Sequence, residues 1–387
     1  MGRRGRHHLL RDHQQDRGPD EQEVRRLVRL RTHLIGATAT AVGIAAGAGA
    51  GVARQRRAIA RRSPGDSPAF GSLRSEPVTV VADDGTPLHV EVDEADPAQA
   101  RSGVSRLRRR RPPVTIVFCH GYALNLDCWH FQREHYRGRV RTVFYDQRSH
   151  GRSGRSPLGN ATIEQLGQDL LTVLDAVAPE GPVVLVGHSM GGMTIVALAE
   201  EHPELFGDRV VGTALISTTA GGLDPSRILF PMVPPWAGGG VLHRSVATLA
   251  RGHRAVDGLR RVGRDVAMVA TDELAFGDAV PGSYVEFVDR MLSATPFEVV
   301  AEFFPGFRGL DKFHAVEVLS KVPTAVICGT EDRLTSIGHS RKLHAWIDGS
   351  TLLECHGAGH MVILERYDEV NGELDRMLEV SGAVDPR

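Results

Sequence analysis

The chain's 387 residues are 41% hydrophobic and 24% charged, ordinary globular usage with room for one large domain or two of common size. The net charge of −1 hides an uneven distribution, +9 over residues 1–62 and −10 over the remainder, and only Lys312, Lys321 and Lys342 are lysines among 46 basic residues. An arginine excess with an acidic main body gives no ground for a nucleic-acid partner, and 18 histidines without an H-E-x-x-H or C-x-x-C…H pattern give none for a metal site.

Residues 1–33 are polar and arginine-rich, without an apolar period beyond a short amphipathic stretch at 24–34, and are expected to be disordered. Residues 34–53 then carry no charge over a run bounded by Arg31 and Arg54; as a helix they would measure about 30 Å, enough to cross a bilayer core. Large apolar side chains are few there, but Gly43, Gly47 and Gly51 repeat the G-x-x-x-G spacing that lets membrane helices approach closely. In water each of those glycines would cost a helix about 1 kcal/mol relative to alanine. The stretch is read as a membrane anchor, with a flexible low-complexity leader as the alternative. A secretory signal is disfavoured by the arginines at 54, 56, 57, 61 and 62 and by the lack of a clear small-residue cleavage site. The chain is accordingly expected to be membrane-associated through this one segment, or else cytoplasmic. Residues 54–75 read as a linker.

From residue 76 the pattern becomes regular. Residues 77–82 and 88–92 alternate as strands around the turn Asp83-Asp84-Gly85-Thr86. Residues 96–113 form a loop ending in a basic run, read as a solvated hairpin loop, with contact to anionic lipid headgroups as the alternative. Apolar strands follow at 114–119, 142–145, 183–186, 210–217, 324–328 and 351–355, interleaved with helices; that at 162–178 lines up Ile163, Leu166, Leu170, Val173, Leu174 and Val177 on one stripe. Alternation of this kind predicts an α/β fold with a mostly parallel sheet and helices on both faces. The rhythm stops between Gly221 and Asp311, where a Pro-Trp-Gly segment precedes helix-like stretches carrying Phe276, Tyr284, Phe287, Phe297, Phe303, Phe304 and Phe307. Any one of these aromatics reads as core rather than as cleft lining. Cys119, Cys128, Cys328 and Cys355 are scattered and read as buried free thiols.

The chemistry concentrates at strand ends. Gly187-His188-Ser189-Met190-Gly191-Gly192 joins the strand Val183-Val184-Leu185-Val186 to an apolar helix. A strand entering a helix through G-x-S-x-G is a nucleophile elbow, which exposes the serine hydroxyl on a tight turn. Glycine suits positions 187 and 191 because a Cβ there would crowd the neighbouring strand and helix. A serine hydroxyl needs a base, an orienting acid and oxyanion donors. Glu331 and Asp332 end the strand at 324–328, and Gly357-Ala358-Gly359-His360 follows the strand at 351–355. Upstream, His120-Gly121-Tyr122 follows the strand at 114–119, where a backbone N–H can complete an oxyanion hole. His188 and His120 read as structural, Asp146 and Arg148 as a structural pair or loop anchor, and His356 as partnerless.

These pieces, with Tyr145-Asp146-Gln147-Arg148-Ser149-His150-Gly151-Arg152-Ser153, run in the order found in α/β-hydrolases, and the chain from about 76 to 380 resembles that family's lipase, esterase and haloperoxidase-like branch. Ser149 departs from the glycine usual at its position. The resemblance implies an α/β-hydrolase fold with a helical cap at about 222–311, after the sixth strand. It implies Ser189 as nucleophile, His360 as base and Asp332, rather than Glu331 or Asp224, as the acid. Backbone N–H groups of Tyr122 and Met190 would hold the oxyanion. The expected activity is cofactor-independent cleavage of small-molecule carboxylic esters or thioesters with an apolar acyl group. The alternatives are perhydrolase, haloperoxidase-like or acyltransferase chemistry at the same triad, or a slow hydrolase used as a ligand receptor. Epoxide and haloalkane hydrolysis are disfavoured, because those relatives use a carboxylate where this chain has Ser189. Oligomeric state is not readable.

Overall fold

The computed structural model describes residues 51–62, 68–96, 113–223 and 256–382. Of the unit Met1–Arg54 only residues 51–54 fall in that set; the sheet, its covering helices and the candidate site all belong to the unit Gln55–Arg387. Residues 34–50 of the uncharged stretch, the basic loop at 97–112 and residues 224–255 of the expected cap lie outside the described residues. Among the described residues no helix is long and apolar enough to cross a membrane.

An eight-stranded sheet organises the unit: β1 (Pro77–Val81), β2 (Pro87–Asp93), β3 (Thr115–Cys119), β4 (Arg141–Tyr145), β5 (Val183–His188), β6 (Val210–Ile216), β7 (Thr324–Gly329) and β8 (Thr351–Cys355). Their spatial order is β1-β2-β4-β3-β5-β6-β7-β8. β1 and β2 pair antiparallel through a turn in which Gly85 takes φ +86°, and β2 is antiparallel to β4; the other pairings are parallel. Every residue of β3, β5 and β7 is buried. That is the signature of parallel strands covered on both faces, whose sequences read as unbroken apolar runs.

Alternate side chains feed two cores, as the two-residue strand period requires. Ile116, Phe118, Val184, Val186, Ile216 and Ile327 join one cluster, and Val117, Cys119, Leu185, Leu215 and Val326 the other. Helix α1 (His130–Tyr136), α8 (Val362–Glu365) and α9 (Tyr367–Val380) cover the first face with Phe131, Ile363 and Leu374. Helices α2 (Ile163–Val177) and α3 (Met190–Glu201) cover the second with Leu170, Val173, Ile195 and Leu198. Burying each such aliphatic side chain contributes about 1.5–3 kcal/mol. α2 starts where Thr162 accepts a hydrogen bond from the Gln165 N–H, an N-cap one residue ahead of the apolar stripe.

Between β6 and β7 lie α4 (Val256–Ala275), α5 (Gly282–Ala294) and α6 (Phe297–Arg308); α7 (Ile337–Trp346) then connects β7 to β8. The segment read as a linker is part of the body where it is described. Ile59 is fully buried, Arg62 forks onto Asp272 at 2.5 and 2.9 Å, and Phe70 stacks on Phe287 of α5 at 4.3 Å while also meeting His130 and Phe131 of α1. Two isolated apolar side chains in a polar stretch are invisible to a composition average, yet their burial fixes the chain.

Candidate active site

β5 enters α3 through Ser189, which takes φ +53° and ψ −117° as the residue preceding the helix. The turn closes because side chains are missing beside it. A Cβ at Gly187 would meet backbone of Gly191 and Gly192 at 2.5–2.6 Å, and one at Gly191 would meet the Cys119 carbonyl oxygen at 2.0 Å. Hydrogen bonds hold the rest: Ser189 N–H donates to the Ile216 carbonyl at 2.9 Å, and the Thr218 hydroxyl donates to the Ser189 carbonyl at 2.6 Å. The Ser189 hydroxyl itself makes no hydrogen bond among the described residues.

Asp332 and His360 meet. The His360 Nδ1 lies 2.9 Å from Asp332 Oδ2, with both side chains buried. The other carboxylate oxygen accepts from the Leu334 and Thr335 N–H groups, each at 2.9 Å. Burial alone would raise the carboxyl pKa, but the His360 ring and these N–H donors outweigh it and hold the group below the ordinary carboxylate value. Glu331, one residue earlier, is exposed. Asp224 lies outside the described residues. The two loops interlock: Glu331 N–H donates to the Ala358 carbonyl, Gly359 N–H to Glu365 Oε1, and a Cβ at Gly329 would strike the Ala358 oxygen at 2.2 Å.

His188 forms the floor between elbow and His360 loop. It is fully buried, its Nε2 is 2.9 Å from the His360 carbonyl oxygen, and its ring centroid is 4.8 Å from that of His360. Burial, with the nearby His360, pushes its pKa down to about 3, so it stays neutral. Ser189 and His360 thus share one sheet edge and one supporting side chain, without a hydrogen bond between them. Catalytic contacts are often open before substrate binds.

The loop after β3 carries the Tyr122 N–H, the expected oxyanion donor. Leu124 N–H donates to the Gly121 carbonyl, closing a turn with Tyr122 and Ala123 at its centre and Ala123 at φ +56°. Neither the Tyr122 N–H nor the Met190 N–H has a hydrogen-bond acceptor among the described residues. His120 anchors this loop to the next: Gln147 N–H donates to its Nε2 at 2.9 Å and its Nδ1 lies 2.7 Å from the Gly121 oxygen. Burial pushes its pKa down to about 4.

Asp146 and Arg148 are not a pair with each other. Asp146 accepts from the Leu126 and Arg152 N–H groups at 2.7 Å, whereas Arg148 forks onto Asp169 at 2.6 Å and reaches Asp84 at 2.6 Å. The chain turns at Arg148–Ser149 directly after β4, so the two side chains leave in different directions despite standing two residues apart. Ser149 takes φ +65°, the region that favours glycine. His356 is exposed. All four cysteines are free and buried.

Sequence reasoning missed Thr335. Its hydroxyl lies 2.9 Å from Asp332 Oδ2, 2.7 Å from the Ser217 carbonyl oxygen and 3.3 Å from His360 Nδ1. The only signal was a hydroxyl three residues beyond a candidate acid, which loops supply commonly.

Comparison with known proteins agrees with this fold. A model described as "Alpha/beta hydrolase family" matches residues 116–373. Among solved structures, an enol-lactonase from Burkholderia xenovorans LB400 superposes with TM-score 0.59 and 25% identity, covering 78% of this chain and 99% of that one. An esterase from Thermogutta terrifontis, at 22% identity and TM-score 0.59 over 79% of this chain and 99% of its own, shares the fold. By sequence, a 3-oxoadipate enol-lactonase of Acinetobacter baylyi is 34% identical over 97 residues, 25% of this chain and 35% of that protein.

Proposed function

This chain belongs to the alpha/beta hydrolase family, and on that premise we propose that it hydrolyses carboxylic esters or thioesters through an acyl-enzyme on Ser189. The observation that carries the reading is the strained serine at φ +53° on the same sheet edge as the 2.9 Å His360–Asp332 contact. Ser189 Oγ attacks the acyl carbon while His360 Nε2 takes its proton. Asp332 holds Nδ1, which fixes the tautomer and stabilises the imidazolium. The developing oxyanion is met by the Tyr122 and Met190 N–H groups, each such donor being worth about 3–4 kcal/mol in the transition state. His360 returns the proton to the leaving alcohol or thiol, and the same groups then deliver water to the acyl-serine.

An apolar acyl group suits the surroundings, because Met190, Met193 and Tyr122 cluster with Phe303 and Phe307 of α6. Enol-lactone and ester substrates, named for the relatives, fall within this class of bond. Nitrophenyl esters of rising chain length test the reading, with Ser189→Ala as control. The variant is expected to lose about six decades of kcat; undiminished turnover in it would exclude the serine mechanism.

A further inference from the structure

The cap does more than cover the site. Two polar atoms of the turn at Tyr122–Ala123 are hydrogen-bonded to the cap. The Tyr122 hydroxyl donates to the Val300 carbonyl of α6, and the Thr295 hydroxyl, at the α5–α6 junction, lies 3.0 Å from the Ala123 carbonyl oxygen and 3.4 Å from that of Met291. The Tyr122 ring stands edge-on to Phe307 at 4.8 Å and packs near Phe303. Met190, the residue at the other candidate donor, belongs to the same cluster, with Val299 and Phe303. Ala123 sits at φ +56°, a conformation that persists only where the surroundings over-determine it. The Tyr122 N–H has no hydrogen-bond acceptor among the described residues.

We propose that α5 and α6 are the positioning element of the oxyanion hole: the Tyr122–Val300 and Thr295–Ala123 hydrogen bonds orient the turn so that its free N–H faces the reacting carbonyl. Tyr122 and Thr295 side chains are therefore positioning residues, acting through a main-chain donor. The inference rests on the reading of the Tyr122 and Met190 N–H groups as oxyanion donors. It makes these two cap hydrogen bonds a requirement for transition-state stabilisation rather than for substrate binding, because an oxyanion donor is used most fully once charge develops.

Tyr122→Phe and Thr295→Val keep ring, shape and backbone N–H while removing one hydroxyl each. Both, with their double variant and Ser189→Ala, are assayed on p-nitrophenyl acetate, and the affinity for an alkylboronic acid, which forms a tetrahedral serine adduct, is measured alongside. Each single variant is expected to lower kcat about tenfold or more with KM within about twofold, and to weaken boronate binding by a similar factor. The double variant should fall by less than the product of the two, since both bonds hold one turn. Wild-type kcat in both single variants with a dead Ser189→Ala overturns the inference alone, as does a rise in KM in place of a fall in kcat. An active Ser189→Ala overturns the functional reading beneath it. Should Tyr122→Phe fail to fold, Thr295→Val, which lies on the cap, decides the matter by the same measurements.

Discussion

Ser189 occupies a backbone region that costs a residue bearing a side chain about 1–3 kcal/mol, and neighbouring glycines and backbone hydrogen bonds hold it there. Around it the supporting imidazoles are neutral. His120, His150 and His188 are buried, and burial pushes their pKa values down to about 4, 3 and 3. A histidine whose folded pKa is depressed gives its full stability above the unfolded value near 6.5 and loses it as the pH falls toward the folded one, because the unfolded chain then binds the extra proton. Buried Asp146, Asp169 and Glu365 are raised by desolvation and act with the opposite sign. In the folded chain those carboxyls titrate above the ordinary carboxylate range and offset part of the histidine effect; the measurements belong at pH 7.5 and 6.0, the interval in which the unfolded histidines take up protons. The three histidines together should remove about 2 kcal/mol of unfolding free energy between those pH values, read from urea midpoints. An unchanged midpoint would contradict the neutral buried assignment. Thr335 belongs to this scale too: three close contacts around the acid arise from one hydroxyl whose neighbours in space are 25 and 118 residues away in sequence. No local pattern encodes that.

Elements were more legible than contacts. The strands announced themselves because β3, β5 and β7 are buried on both faces and read as apolar runs, and the elbow because its glycines answer a steric need. Two glycines make that need measurable. Gly191→Ala would place a Cβ 2.0 Å from the Cys119 carbonyl oxygen, in backbone that cannot yield, and should cost about 3 kcal/mol or more. Gly372, exposed inside α9 with nothing near its missing Cβ, should gain up to about 1 kcal/mol as alanine. Thermal or urea unfolding of both variants checks the pair. Equal effects would mean that glycine at 191 is incidental. The sequence placed the cap between β6 and β7, but not which of its aromatics would matter. Phe303 and Phe307 fall with Val299 on one i, i+4, i+8 stripe buried against the Tyr122 turn, while Phe297, off that stripe, is 47% exposed; which surface the stripe meets is set by tertiary docking.

At the scale of the molecule, the segment ahead of β1 ties the cap to the body. Phe70 lies between α5 and α1, Ile59 fills the core, Arg62 forks onto Asp272 of α4, and Gly282 N–H donates to the Arg62 carbonyl. Removing residues 1–54 is the reference truncation, since it keeps Ile59, Arg62 and Phe70. Removing residues 1–75 takes away Ile59 and Phe70 and should cost about 3 kcal/mol or more, seen as a lower melting temperature and faster hydrogen exchange in α4 and α5. Identical exchange in the two truncations would return residues 55–75 to the status of a tether. Burial raises the Cys119, Cys328 and Cys355 thiols to about 12, which leaves them unreactive until the chain unfolds.

On the proposed reading, the Ser189 hydroxyl is made nucleophilic by groups that the fold gathers from distant sequence. Labelling the full chain with a fluorophosphonate and mapping the modified peptide by mass spectrometry tests this most directly. One phosphonyl group on Ser189, with esterase activity falling in step with its occupancy, is the predicted result; a label on any other side chain, or full turnover with Ser189 occupied, would contradict it.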